Sequence, residues 1–306
     1  MLKKLEGLVA APFTPLYEDG TLNLPQIKPL VEHYIHHQIK GIFVCGSTGE
    51  GPSLSREERM QVAEAFTKAA HGRLFVFVHV GHSSLAEARK LAAHAQKIGA
   101  DAISATLPTY FKITTEDVLI RCLQEIAQEA PNLPFYYYNI PSLTGVHIEM
   151  ASFLRQAQDA IPTLAGIKYT SPLLHDFQAC LSANGQQFDM LYGTDEMFLP
   201  ALAVGARGFI GSTYNFAAPV YHKIQAAFWE GELVVARQYQ DQVIAMVRLI
   251  VKYGVVPSQK AIMKMIGLDC GPVRLPLQTL SLAQEKTLQD ELEQIGFFGW
   301  SKAMIS

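Results

Sequence analysis

Eight short apolar runs, each followed by an amphipathic segment, predict an α/β chain closed into a (β/α)8 TIM barrel with a C-terminal helical extension. Most of the runs are apolar on successive residues rather than alternating, the pattern of parallel strands buried on both faces. Beyond about residue 220 the runs stop and the chain reads as helices. The expected organisation is a barrel over 1–220 that carries the active site, and a helical appendage over 221–306 packed on it. A doubly wound sheet is the alternative arrangement of the same repeats.

In chain order the runs are "GLVAAPF" (7–13), "GIFVCG" (41–46), "LFVFVHVG" (74–81), "DAISATLP" (101–108), "PFYYYNIP" (134–141), "LAGIKYT" (164–170), "DMLYG" (189–193) and "RGFIGST" (207–213). Between them, "SREE" at Ser55–Glu58 and "SLAE" at Ser84–Glu87 fit the capping box, a hydroxyl at the N-cap with Glu three residues on. After the second, Leu85, Ala88, Leu91, Ala92, Ala95 and Ile98 recur at helical steps, and Gly99 supplies a left-handed stop. "HIEMASFLRQ", "SPLLHDFQACL" and "EMFLPALAVG" are further helices. "PVYHKIQAAFWEGELVVARQYQDQVIAMVRLIVKYG", "SQKAIMKMIGL" and "LAQEKTLQDELEQIG" make up the appendage.

Composition narrows the function class. The chain has 306 residues, 49% of them hydrophobic, and a net charge of −3. It has no basic block that would suit nucleic acid or an anionic membrane. No run of about 18 apolar residues is present, so no membrane span is expected. The N-terminal "MLKKLEGLVAAPFTP" is interrupted by Glu6, Pro12 and Pro15, which sets aside a signal peptide. Cys45, Cys122, Cys180 and Cys270 lie far apart without a CxxC pair, which fits a reducing cytoplasm better than a disulfide framework or a zinc knuckle.

In a barrel the reaction belongs at the C-terminal strand ends. After the second run come Gly46, Ser47, Thr48, Gly49 and Glu50, with none of the lysine that a phosphate-binding P-loop needs. Two hydroxyls and free backbone N–H groups on a tight turn suit a carboxylate; a plain strand-to-helix turn fits the same residues. In "YYYNIP", Tyr138 lies nearest the strand end and shares a face with Tyr136, either as a proton relay or as core filling. Lys168 interrupts the apolar "TLAGIKYTS". An unperturbed lysine, with a pKa near 10.4, is neutral in only about one molecule in a few thousand at pH 7. Desolvation raises that fraction, as an imine-forming lysine requires; a structural ion pair is the rival reading. Asp195 and Glu196 in "YGTDEMF" either bind a polyol or cap the next helix, and Ser212 and Thr213 add hydroxyls. His79 and His82 in "HVGH" would suit zinc but lack an evident third ligand. "HYIHH" (33–37) reads as solvated surface.

"GSTGE" (46–50), "YNIP" (138–141), "GIKYTS" (166–171) and "GSTYN" (211–215), in this order and spacing, resemble the pyruvate-dependent class I aldolases. This is the family of N-acetylneuraminate lyases and dihydrodipicolinate synthases, and the resemblance covers nearly the whole chain. It implies that Lys168 forms an imine with a 2-keto acid, that Ser47 and Thr48 hold its carboxylate, and that Tyr138 shuttles a proton. It also implies that no metal or organic cofactor takes part. Tyr110 matches a tyrosine that neighbouring subunits insert toward each other's Tyr138, which implies a homotetramer. Leu143 stands in "YNIPSLTG" where the synthases usually carry arginine, and Ser47 replaces the first threonine of their "GTTGE". "GTDEMF" and "GSTYN" look like the sialic-acid branch, in which Asp195 and Glu196 bind the glycerol tail and Thr170, Gly193 and Ser212 complete the polyol network. The implied reaction is cleavage of N-acetylneuraminate to N-acetylmannosamine and pyruvate. A dihydrodipicolinate synthase or another pyruvate-dependent aldolase is the alternative, and a sialic acid or pyruvate binder without turnover is the remoter one. Tyr169 and the "LPTYFK" stretch around Tyr110 depart from the family pattern.

Overall fold

The eight runs form eight parallel strands: β1 (Gly7–Ala10), β2 (Gly41–Val44), β3 (Phe75–His79), β4 (Ala102–Ala105), β5 (Phe135–Asn139), β6 (Leu164–Tyr169), β7 (Asp189–Tyr192) and β8 (Gly208–Gly211). They pair in sequence order, and β8 closes on β1 from Gly7↔Gly208 to Ala10↔Gly211. The computed structural model describes residues 4–301, apart from the side chain of Asn184. Residues 1–3 and 302–306, at the outer ends of the two expected segments, lie outside the described residues. The apolar runs outlast their strands because their last residues turn into the loops of the barrel mouth. In "GIFVCG", for example, the strand stops at Val44 and Cys45 takes a left-handed φ of 60°.

Each strand leads to a helix that follows it in the chain. After β1 comes α1 (Ile27–His36), after β2 α2 (Arg56–Ala70), after β3 α3 (Leu85–Lys97) and after β4 α4 (Glu116–Ala127). The second half adds α5 (Met150–Ala160), α6 (Leu174–Ser182), α7 (Phe198–Ala203) and α8 (Tyr214–Trp229). Alternation along the strands splits the core into two shells. Phe43, Phe77, Tyr136, Tyr138, Leu191 and Ile210 fill the barrel interior, while Tyr137 faces outward onto Phe153 of α5 at 5.3 Å between ring centroids. Inside, Phe77 meets Tyr136 edge to face at 5.0 Å and Phe43 meets Tyr138 at 5.5 Å, so an aromatic floor underlies the mouth.

Two local expectations are corrected. Ser55 and Glu58 form the full capping box, but Ser84 makes no side-chain cap. Its partner Glu87 instead pairs with Arg56 and Lys90, each at 2.8 Å, and the Ser84 N–H donates to His82 Nδ1 at 2.9 Å. The histidines of the 33–37 stretch are not all solvated. His33 Nε2 donates to the Asn215 carbonyl at 2.8 Å, and burial lowers the His37 pKa to about 4.

The expected boundary at 220/221 falls inside α8 (Tyr214–Trp229); after that helix come α9 (Leu233–Tyr253), α10 (Val255–Met265), α11 (Leu282–Gln294) and a short turn of helix at Phe297–Trp300. Gln240 of α9, itself buried, accepts from the Leu199 N–H at 2.8 Å and donates to the Glu196 carbonyl at 2.9 Å. The extension thereby grips the loop after β7. No described helix is long and apolar enough to cross a membrane.

At the other end of the barrel, Asp189 opens β7 and accepts hydrogen bonds from the Tyr136 hydroxyl at 3.0 Å and the Leu5 N–H at 3.1 Å. Burial lifts its pKa to about 6. A carboxyl that binds its proton more tightly folded than unfolded costs stability progressively as pH rises from about 4 to about 6. Asp189→Asn keeps an acceptor for both donors and removes that charge. At about pH 7.5 the variant should melt a few degrees above the parent chain, and the advantage should vanish near pH 4. Thermal melts across that range check the assignment, and a lower melting temperature at the higher pH would overturn it.

Candidate active site

β6 is buried along its whole length, so Lys168 reaches the mouth through an apolar wall and is 4% exposed. The β5–β6 register sets Tyr138 beside it. Its Nζ lies 4.0 Å from the centroid of the Phe43 ring and 4.0 Å from that of Tyr138. Burial lowers the Lys168 pKa to about 7, while the charge of the Asp195 carboxylate, which makes no ion pair with it, pulls the other way. The ion pair that sequence alone left open is not what holds this amine. Burial is the cause of that shift, and at a pKa of about 7 the neutral, nucleophilic amine is far more populated at neutral pH than the one in a few thousand of an unperturbed lysine.

The Tyr138 phenol is pushed up to about 12 by burial, and the nearby hydroxyls of Ser47 and Thr170 restrain the rise. Thr170 Oγ1 faces the phenol without closing a full hydrogen bond and remains unpartnered. At neutral pH the phenol keeps its proton and is poised to relay one between hydroxyl groups. Ser47 and Thr48 stand half-buried on the loop after β2. That loop folds on itself, with the Glu50 N–H donating to the Ser47 carbonyl at 3.1 Å and the Gly51 N–H to the Gly46 carbonyl at 3.1 Å.

Thr170, Gly193, Asp195, Glu196 and Ser212 line a single cavity of about 450 Å³ at the mouth. Thr170 joins it to the lysine end, since the same side chain faces the Tyr138 phenol. Glycine at 193 is a matter of space: a Cβ there would stand 2.1 Å from Thr170 Oγ1. A Cβ on Gly211 would likewise meet Asp195 Oδ1 at 1.9 Å. Asp195 is buried and does not cap the helix that follows it. Its Oδ2 instead accepts from the Thr213 N–H at 2.9 Å and the Thr213 hydroxyl at 2.7 Å. Its Oδ1 has no hydrogen-bond partner among the described residues, and burial raises the pKa of Asp195 to about 6. Glu196 is exposed at the rim.

Tyr110 is not brought to this cavity. It is 84% exposed, with its ring 5.1 Å from that of Phe111. The two histidines weighed as zinc ligands are engaged by backbone: His79 Nε2 accepts from the Thr106 N–H at 3.1 Å, and His82 Nδ1 from the Ser84 N–H. Residues that sequence reasoning passed over also enter the site. Phe43 floors the lysine, Ser142 lines the cavity, and Gln259 of α10 lines it from the extension. Phe43 carried no polar signal, and Gln259 lay in a segment legible as helix alone.

With the geometry in place, comparison with known proteins is direct. Residues 4–295 match the family described as the dihydrodipicolinate synthetase family. N-acetylneuraminate lyase of Rattus norvegicus is 43% identical over 303 residues, covering 97% of this chain and 95% of that protein. The Homo sapiens N-acetylneuraminate lyase is 43% identical over 304 residues, covering 98% of this chain and 95% of that one. Among solved structures, Proteus mirabilis N-acetylneuraminate lyase superposes with a TM-score of 0.94 at 38% identity, covering 96% of this chain and 100% of the other. The parallel eight-stranded barrel, the buried lysine at its mouth and these matches agree: the chain belongs to the dihydrodipicolinate synthetase family.

Proposed function

We propose that this protein is a Schiff-base aldolase that reversibly cleaves N-acetylneuraminate to N-acetylmannosamine and pyruvate. The observation that carries the reading is the buried Lys168 amine, paired in register with Tyr138 and held between the Phe43 and Tyr138 rings without a carboxylate partner. The names of the relatives point the same way.

Ser47 and Thr48 seat the substrate carboxylate, and Lys168 Nζ attacks the adjacent keto carbon of the open-chain sugar. Loss of water leaves a protonated imine. The Tyr138 phenol, with the Ser47 and Thr170 hydroxyls nearby, relays the proton of the hydroxyl on the β-carbon, with the substrate carboxylate assisting. As that hydroxyl becomes the aldehyde of N-acetylmannosamine, the bond between the α- and β-carbons breaks and its electron pair moves into the imine, giving an enamine. Protonation of the α-carbon and addition of water release pyruvate and restore the amine. Asp195, Glu196, Gly193, Thr170 and Ser212 bind the sugar hydroxyls. A dihydrodipicolinate synthase would bring a substrate with a second carboxylate against Asp195 and Glu196, a repulsive pairing, and Leu143 offers it no cation.

We place the reaction in the cytoplasm, where four unpaired cysteines remain reduced. We also assign the exposed Tyr110, Phe111 and Leu143 to contacts between copies of this chain in a homotetramer. In that assembly Tyr110 reaches a neighbour's Tyr138.

Purified protein given N-acetylneuraminate, with lactate dehydrogenase and NADH, should consume NADH. Silence there, with activity on pyruvate and aspartate semialdehyde, would move the assignment to the synthase. Lys168→Ala should lose turnover while keeping the fold by circular dichroism. Tyr138→Phe should still trap pyruvate under borohydride yet lose about 100- to 10,000-fold in cleavage rate. A pyruvate adduct absent from Lys168 would leave a binder without turnover.

The pH response follows from the same amine. Below its pKa, Lys168 is an ammonium without a lone pair to donate, so trapping of subsaturating pyruvate by cyanoborohydride should accelerate as pH rises, with a midpoint near about 7. A midpoint near about 10 would mean that the amine is solvated. Sedimentation velocity should report a tetramer, and Tyr110→Ser with Phe111→Ser should shift it to smaller species; an unchanged tetramer would place the contact elsewhere.

A further inference from the structure

α10 lies outside the strand–helix repeats, yet Ser258, Gln259 and Lys260 within it are consecutive buried polar residues. Buried polar side chains of this kind are held by partners. Ser258 fastens the helix to the end of α9, its hydroxyl donating to the Gly254 carbonyl at 2.7 Å and the Ile250 carbonyl at 3.1 Å. Its two neighbours, about 100° apart around the helix, point to different ends of the mouth.

Lys260 reaches the loop after β2. Its Nζ stands 2.8 Å from Glu50 Oε1, with 3% of the Lys260 side chain and 1% of the Glu50 side chain exposed. The same Nζ donates to the Pro272 carbonyl at 2.7 Å. Glu50 Oε2 accepts from the Arg274 N–H at 2.8 Å, and the Arg274 guanidinium grips the Glu58 carboxylate and the Ser53 and Gly20 carbonyls. Glu50 holds a left-handed φ of 53° at the end of the turn that begins with Ser47 and Thr48. A strained residue of this kind persists where its surroundings over-determine it, and here the surroundings come from the extension.

Gln259 reaches the opposite end. Its Nε2 donates to Ser212 Oγ at 2.9 Å, while its buried Oε1 has no hydrogen-bond partner among the described residues. Gln259 and Ser212 both line the cavity. A sugar hydroxyl or amide N–H would satisfy that oxygen.

We propose that α10 sets the separation between the two ends of the substrate site, Lys260 positioning the carboxylate cradle through Glu50 and Gln259 positioning the sugar end through Ser212. The proposal rests on the aldolase reading and names positioning residues for it.

The condensation direction separates the two ends, because pyruvate and N-acetylmannosamine are varied independently. Lys260→Met should raise the KM for pyruvate by about tenfold and leave that for N-acetylmannosamine within about twofold. Gln259→Leu should do the reverse. The pyruvate concentration that half-saturates borohydride trapping should follow the first variant and ignore the second. If Lys260→Met fails to fold, Glu50→Gln with Lys260→Met removes both buried charges and should show the same selective rise. Variants that fold but move both KM values together, or move neither, overturn the proposal. Failure of the aldolase reading looks different: the unsubstituted chain would trap no pyruvate. A chain that traps pyruvate but condenses it with another aldehyde is measured with that aldehyde in place of the sugar.

Discussion

The structure turns on keeping one amine out of water without giving it a counter-ion. Burying an ammonium without a partner is costly enough that the group sheds its proton instead. Phe43 and Tyr138 supply the dry faces, and the closed ring of strands supplies the wall behind them. Asp195 shows how narrow the arrangement is. Its charge is felt at Lys168, and a direct ion pair would return the proton to the amine. Thr213 holds Asp195 Oδ2 through its N–H and hydroxyl, and Gly211 leaves the room in which the carboxylate sits.

The mouth divides its work by position. Around the lysine the environment is dry and aromatic, which suits covalent chemistry on a keto carbon. Toward β7 and β8 it becomes a cavity with hydroxyls, a buried carboxylate and an exposed one at the rim, which suits a flexible polyhydroxylated ligand. Thr170 belongs to both regions, so a change there would be felt in proton relay and in ligand placement alike.

Much of this was legible from the chain alone, for identifiable reasons. Strands buried on both faces leave uninterrupted apolar runs, so eight strand–helix repeats could be read and a barrel expected. Closure of β8 on β1, rather than an open doubly wound sheet, came only with the structure. Lys168 stood out because a charge inside such a run has few explanations. What could not be read were the partners that decide its chemistry. Phe43 is one apolar residue among many until the barrel closes and sets it under Nζ. Ser84 and Glu87 had the spacing of a capping box, but spacing does not register that Arg56 and Lys90 compete for the glutamate. Glu50 and Lys260 are 210 positions apart, and no local pattern links residues so distant.

Gln240, Gln259 and Lys260 all follow β8 in the chain, yet they brace loops that follow β2, β7 and β8. During synthesis every strand therefore leaves the ribosome before the helices that finish the mouth. A nascent chain halted after Gly211 would hold all eight staves of the cask without the hoop that trues its rim, so competence arrives with the helices made after β8 rather than with ring closure.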